Sequence, residues 1–176
     1  DITAAVLASG MATRDEIGLL IDVGTNGEIV LGNRDWLICC SASAGPAFEG
    51  AGTRCGMRAS PGAIEKVRVF ENGLALSIIG GEKQKPRGIC GSGYIDLLAE
   101  LFSHGILDRT GRFRDGGKNP RLREGEHGPE FLLWGKNSDR DGRDIVIEES
   151  DIASLIRTKG ALYTAAETIL KHVGLD

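Results

Sequence analysis

No apolar stretch among the 176 residues approaches the roughly 20 that a bilayer-spanning helix needs, so no membrane span is expected. No secretory leader is expected either. The chain opens at Asp1 on an Ala-rich stretch, Ile2 to Met11, that reads as a short helix ending at Gly10. It therefore reads as a fragment of a longer protein, and as a cytoplasmic one. Excess charge is small: 21 Lys and Arg against 25 Asp and Glu leave a formal charge of −4. That balance argues against general nucleic-acid binding. Cysteine is scarce, with only Cys39, Cys40, Cys55 and Cys90, no C-x-x-C pair and no His at zinc spacing. These four do not have the spacing of a metal cluster and read as reduced, mostly buried thiols. Cys39 and Cys40, adjacent on a strand, point to opposite faces.

What the chain does have is glycine, 26 residues of it, gathered at turns and helix entries. That is a ligand-loop distribution rather than a disordered one. The leading stretch is Leu19 to Leu31. Leu19 to Val23 reads as a strand apolar on both faces, broken only by Asp22, and Glu28 to Leu31 as a second strand. Between them stand Gly24, Thr25, Asn26 and Gly27, and Asn-Gly between apolar runs signals a hairpin. A carboxylate in a covered strand is costly unless it is paired or holds a cation, so Asp22 is expected at the strand's end, facing a site. The two glycines would let turn N–H groups approach an anion. The plainer alternative is an ordinary Asn-Gly hairpin with Asp22 as a turn former.

Further on, Trp36 to Cys40 completes a three-stranded meander. Small residues follow, Ser41 to Gly50, with Gly45-Pro46 starting a turn or short helix that suits a phosphate. Ser43 and Gly45 belong to this candidate loop. Glu49 is a candidate second carboxylate, or else a solvated surface acid. Ala63 to Phe70 and Leu74 to Ile79 read as a second hairpin about Asn72-Gly73. Gly91, Ser92 and Gly93 then lie in a second glycine-rich loop that runs into a helix from Tyr94 to His104, with Ile95, Leu98, Leu101 and Phe102 as its apolar face and Gly105 as its terminator. Free N–H groups at that helix start could receive an anion, or the glycines could simply allow close packing. Residues 108–144 read as a polar surface loop, a solvated face broken by one short strand, Phe131 to Trp134. Ile145 to Ile147 is a last strand. Ser150 reads as the N-cap of a final helix to Val173, with Gly160 marking close packing inside it.

Taken together, five stretches resemble a known family. Asp22-Val-Gly-Thr-Asn-Gly27 is similar to the phosphate hairpin of the actin, sugar-kinase and Hsp70 superfamily. Ser43 to Gly50, Cys55-Gly-Met-Arg-Ala59, Gly88 to Gly93 and Asp151 to Ala166 narrow the match. The chain resembles the C-terminal domain of the ATP-dependent reductive activators of corrinoid proteins over nearly its whole length, least in residues 108–144. The resemblance implies an α/β, ribonuclease-H-like half-domain with a mixed sheet and packed helices, a single domain over residues 1–176. It implies ATP and Mg²⁺ as ligands, with Asp22 orienting the metal and Gly24, Thr25, Asn26 and Gly27 on the phosphates. Gly91, Ser92 and Gly93 would lie near the nucleotide, and Glu49 would position water. The family uses ATP hydrolysis to return Co(II) corrinoid to Co(I), with a [2Fe–2S] cluster in an N-terminal domain that this chain does not include. The expected partner is a corrinoid protein or corrinoid-dependent methyltransferase. The alternatives are a small-molecule kinase of the same superfamily and a non-catalytic module that docks the corrinoid protein or a second copy of the chain.

Overall fold

A computed structural model of the protein describes residues 1–70, 73–81, 83–114, 119–135 and 142–175. In order the elements are α1 (Ile2–Ser9), β1 (Gly18–Val23), β2 (Asn26–Gly32), β3 (Leu37–Ser43), β4 (Ala63–Phe70), β5 (Gly73–Ile78) and β6 (Gly88–Ile89). These are followed by α2 (Gly91–Ser103), β7 (Leu122–Gly125), β8 (Gly128–Trp134), β9 (Ile145–Glu148) and α3 (Glu149–His172). Short 3₁₀ turns occupy Met11–Thr13 and Pro46–Glu49. The α/β composition matches the expectation. The chain divides into two compact units, Asp1–Pro46 with Arg157–Asp176, and Ala47–Ile156.

In the first unit β1, β2 and β3 form the expected antiparallel meander. The alternation of strand side chains sorts Ile29, Leu31, Ile38 and Cys40 onto one face. They pack against Ala165, Ala166, Ile169 and Leu170 from the second half of α3. Two details differ from the sequence reading. First, β1 is not a covered central strand. Among the described residues it pairs with β2 alone, and Leu19, Ile21 and Val23 are exposed along it. Second, the turn is shorter than Gly24 to Gly27. Asn26 and Gly27 already belong to β2, and neither glycine of the hairpin has a positive φ. Gly27 is required for another reason. A Cβ on it would stand 1.9 Å from Leu162 Cδ2, so the missing side chain is what lets α3 reach the sheet. Gly160, by contrast, faces open space and is not a packing glycine. Cys39 is exposed, so the expectation of mostly buried thiols holds for Cys55 and Cys90 but not for it.

The second unit has two sheets. One is mixed: β4 pairs antiparallel with β5 and parallel with β6. The other, β7-β8-β9, is antiparallel. Ile64, Val67, Ile89, Phe131, Ile145 and Ile147 from the sheets bury with Leu97 and Leu101 of α2 and Ile152 and Leu155 of α3. The buried stripe of α2 is Tyr94, Leu97 and Leu101, at i, i+3 and i+7. Ile95 and Phe102, which the periodicity also favoured, are exposed. Gly105 terminates α2 as expected, with φ 69° and its N–H on Phe102 O. Asn72 lies outside the described residues.

The span read as a solvated loop holds the β7–β8 hairpin instead, and its Glu130 is only 3% exposed. Arg123 Nε donates to Glu130 Oε1 at 2.8 Å, and Arg54 Nη1 donates to Glu130 Oε2 at 3.0 Å and to Glu148 Oε1. Glu130 and Glu148 face each other across the β8–β9 ladder. Two carboxylates there would repel in a poorly solvated setting, and the shared guanidinium offsets this. The start of α3 is also not the expected one. Ser150 lies inside the helix. Asp151 reaches back to accept the Glu148 N–H at 3.2 Å, as the third residue of a capping box does, and also accepts the Arg54 N–H at 3.0 Å. Burial, the largest influence on Asp151, pushes its carboxyl above the usual range.

Candidate nucleotide site

The first unit brings two of the three glycine-rich stretches together. The Asn26 and Ser43 positions pair across β2 and β3. The Gly45 N–H donates to Thr25 O at 2.9 Å, and Gly24 N–H donates to Asn26 O at 3.0 Å. Gly45 has φ 81°, a left-handed conformation that a side chain would strain, so glycine is needed to turn the chain there. The buried Thr158 hydroxyl on α3 donates to Ala44 O at 2.7 Å and anchors this loop from behind. Asp22, Gly24, Thr25, Asn26, Ser43 and Gly45 thus form one rim, held by main-chain bonds that leave the Ser43 side chain exposed. Gly27 sits just inside it, paired with Val23 on one side and Ala42 on the other. Its role in the geometry is packing.

Asp22 is half-buried near the end of β1 and makes no ion pair with a described residue. Its cross-strand partner is Glu28, also half-buried and likewise without an ion pair to a described residue. Ser41 follows Glu28 in the same row. Two carboxylates side by side, flanked by a hydroxyl, suit a hard cation that keeps several of its waters. Glu28 was not among the residues singled out from sequence. The signal was available, because once Val23 pairs with Gly27 the register must place Glu28 opposite Asp22.

Glu49, Gly91, Ser92 and Gly93 belong to the second unit. Gly91 and Gly93 serve close packing there. A Cβ on Gly91 would stand 2.1 Å from Phe48 O, and one on Gly93 2.2 Å from Ile64 O. Of the residues whose N–H groups begin α2, Gly93 is buried and Gly91 half-buried. Cys90, at the N-cap position, offers them no side-chain cap, and Ser92 is exposed. With a 13-residue helix behind them, these groups can receive negative charge. Packing and anion reception are therefore compatible readings of one loop. Glu49 is exposed at the end of its 3₁₀ turn.

Known proteins match this chain along its whole length. The corrinoid activation enzyme RamQ of Eubacterium limosum is 36% identical over 182 residues, which span 99% of this chain and 30% of that protein. The [Co(II) methylated amine-specific corrinoid protein] reductase of Methanosarcina barkeri is 28% identical over 195 residues, 99% of this chain and 32% of that protein. A solved reductive activator for corrinoid,iron-sulfur protein superposes with a TM-score of 0.91 at 52% identity, covering 99% of this chain and 28% of that one. The chain thus spans about a third of the length of these relatives. A family profile described as the C-terminal domain of RACo, the ASKHA domain, matches residues 16–176. Hairpin, meander and capped helix are therefore those of a known lineage, and the chain belongs to the family of RACo C-terminal ASKHA domains.

Proposed function

We propose that this chain is the nucleotide-binding C-terminal segment of a reductive activator, a longer protein that uses ATP hydrolysis to return a Co(II) corrinoid to Co(I) on a corrinoid protein. The names of the similar proteins support the corrinoid part of this reading. The observation that carries the nucleotide part is the Asp22–Glu28 pair at the rim of glycine-rich turns. Facing carboxylates with no ion-pair partner among the described residues repel one another, and a bound cation would offset the repulsion.

In this reading Asp22 and Glu28 would hold Mg²⁺, which when bound would supply charge neutralisation for the phosphates. The main-chain N–H groups of the Gly24–Asn26 turn and the Ser43 hydroxyl fix phosphate oxygens. Glu49, Gly91, Ser92 and Gly93 belong to the second unit, and their assignment to the attacking water and the nucleotide rests on the family resemblance alone. Positioning and charge stabilisation account for most phosphoryl-transfer catalysis, so a site with no covalent nucleophile is adequate. The [2Fe–2S] cluster and the corrinoid contacts are assigned to the longer protein. The chain by itself would bind nucleotide weakly and turn it over slowly, if at all.

Titration calorimetry with Mg-ATP tests this. The expected result is micromolar binding that disappears in Asp22→Ala and weakens when Mg²⁺ is chelated. Retention of full affinity in Asp22→Ala overturns the assignment. No heat with Mg-ATP, together with tight binding to a corrinoid protein, would instead favour a docking module.

A further inference from the structure

The second unit contains a cavity of about 560 Å³ whose described lining carries four cations, Lys83, Lys85, Arg87 and Arg143, beside Trp134 and Ile145. No Asp or Glu is among the described lining residues. This is a local reversal in a chain whose formal charge is −4. Two other arginines of the unit are committed to carboxylates: Arg54 to Glu130 and Glu148, Arg123 to Glu130 and Asp144. Lys83, Arg87 and Arg143 make no ion pair with a described residue. Like charges collected around a concavity repel one another and focus a positive potential into it, which an anion relieves.

One wall of the cavity is built on ordered strands, while the four cations stand at exposed positions beside them. Trp134 and Ile145 are cross-strand partners at a register shift between β8 and β9, so the aromatic wall is set by the sheet. Arg87 is pinned one residue before β6 by its N–H on Gly62 O at 2.8 Å. Gly62 makes room for the arginine stem, since a Cβ there would stand 2.8 Å from Arg87 Cδ. Arg143 lies two residues before β9. The volume is in the range of small-molecule sites, which combine apolar walls with a few convergent polar groups. None of the lining residues belongs to the proposed nucleotide set.

We propose that this cavity binds a phosphate ester of a small molecule, with the phosphate among Arg87, Arg143 and the two lysines and the apolar body against Trp134. The claim does not depend on the nucleotide reading. The sequence has two tryptophans, Trp36 and Trp134, so Trp36→Phe leaves Trp134 as the sole indole reporter. Phenyl phosphate is titrated into that protein in EDTA at fixed ionic strength. The expected result is a saturable change in Trp134 emission, with the dissociation constant raised on the order of tenfold by Arg143→Gln and likewise by Arg87→Gln. Benzyl alcohol should give no saturable change at the same concentrations. Circular dichroism establishes that each variant is folded, and the two variants stand in for one another should one fail. An emission change that sodium chloride of equal ionic strength reproduces, or that both folded variants retain at full affinity, overturns the proposal. So does the lack of any saturable change.

Discussion

Asp22 and Glu28 stand directly opposite each other across the β1–β2 ladder, and neither has an ion-pair partner among the described residues. Facing like charges destabilise a strand pair by roughly 0.2–1 kcal/mol. Asp22→Asn or Glu28→Gln should therefore stabilise the ligand-free chain by about that amount while abolishing any stabilisation that Mg²⁺ gives the wild type. Guanidinium unfolding with and without Mg²⁺ reads both effects. A variant that gains nothing in EDTA and still responds to Mg²⁺ would show that the two carboxylates do not share a cation.

Gly27 lies against Leu162, with 1.9 Å available to a new Cβ. Gly27→Ala should cost about 1–3 kcal/mol through overpacking of the sheet against α3. Gly27→Ala combined with Leu162→Ala should cost less than the sum of the single changes, because the smaller partner makes room. Additive losses in a denaturant-unfolding cycle would place the strain elsewhere.

Arg54 is the shared counter-charge of two buried carboxylates, Glu130 and Glu148. Its removal in Arg54→Ala takes the counter-charge from Glu148 while Arg123 still serves Glu130, and because Arg54 is itself partly exposed the cost should be about 1–3 kcal/mol. Adding Glu148→Gln should return a good part of that loss. Thermal unfolding at neutral pH measures it, and an Arg54→Ala chain as stable as the wild type would mean that water serves the carboxylates equally well.

Asp108 is held down to about 2, first by the Thr110 hydroxyl and then by the Arg112 N–H. Thr110 Oγ1 donates at 2.6 Å and the Arg112 N–H at 3.0 Å to Asp108 Oδ1. A carboxyl depressed in the folded state binds its proton less readily there than in the unfolded chain. Its contribution is present above the unfolded value near 3.8 and is lost as pH falls towards about 2. Asp108→Asn should be less stable than the wild type at neutral pH and should converge on it through that acid window. Urea unfolding midpoints from pH 6 to about 2 test the convergence; a constant gap would remove Asp108 from the acid response.

The strands and helices were legible because local periodicity and turn chemistry define them. Leu19 to Leu31 announced a hairpin, and Gly10 and Gly105 announced helix ends that the structure terminates with left-handed glycines. Family membership was legible too, since long motifs such as Ser43 to Gly50 survive as contiguous text. Less legible was the meaning of single residues within those motifs. Gly27 looked like a turn glycine, but it is there because a helix more than a hundred positions later presses on it. Glu130 looked like one charge among many in a polar loop and proved to be buried.

The order of apolar and polar residues along the chain, by itself, determined where strands and helices form, for these are set by neighbours a few positions apart. Which strand became an edge, which stripe of α2 was buried, and which carboxylates needed Arg54 were decided only when distant segments met. Burial and charge pairing depend on what arrives from the other side, and local spacing cannot encode that. Asp22 stood out in the text as a lone acid in an apolar strand; the pairing of strands supplied Glu28.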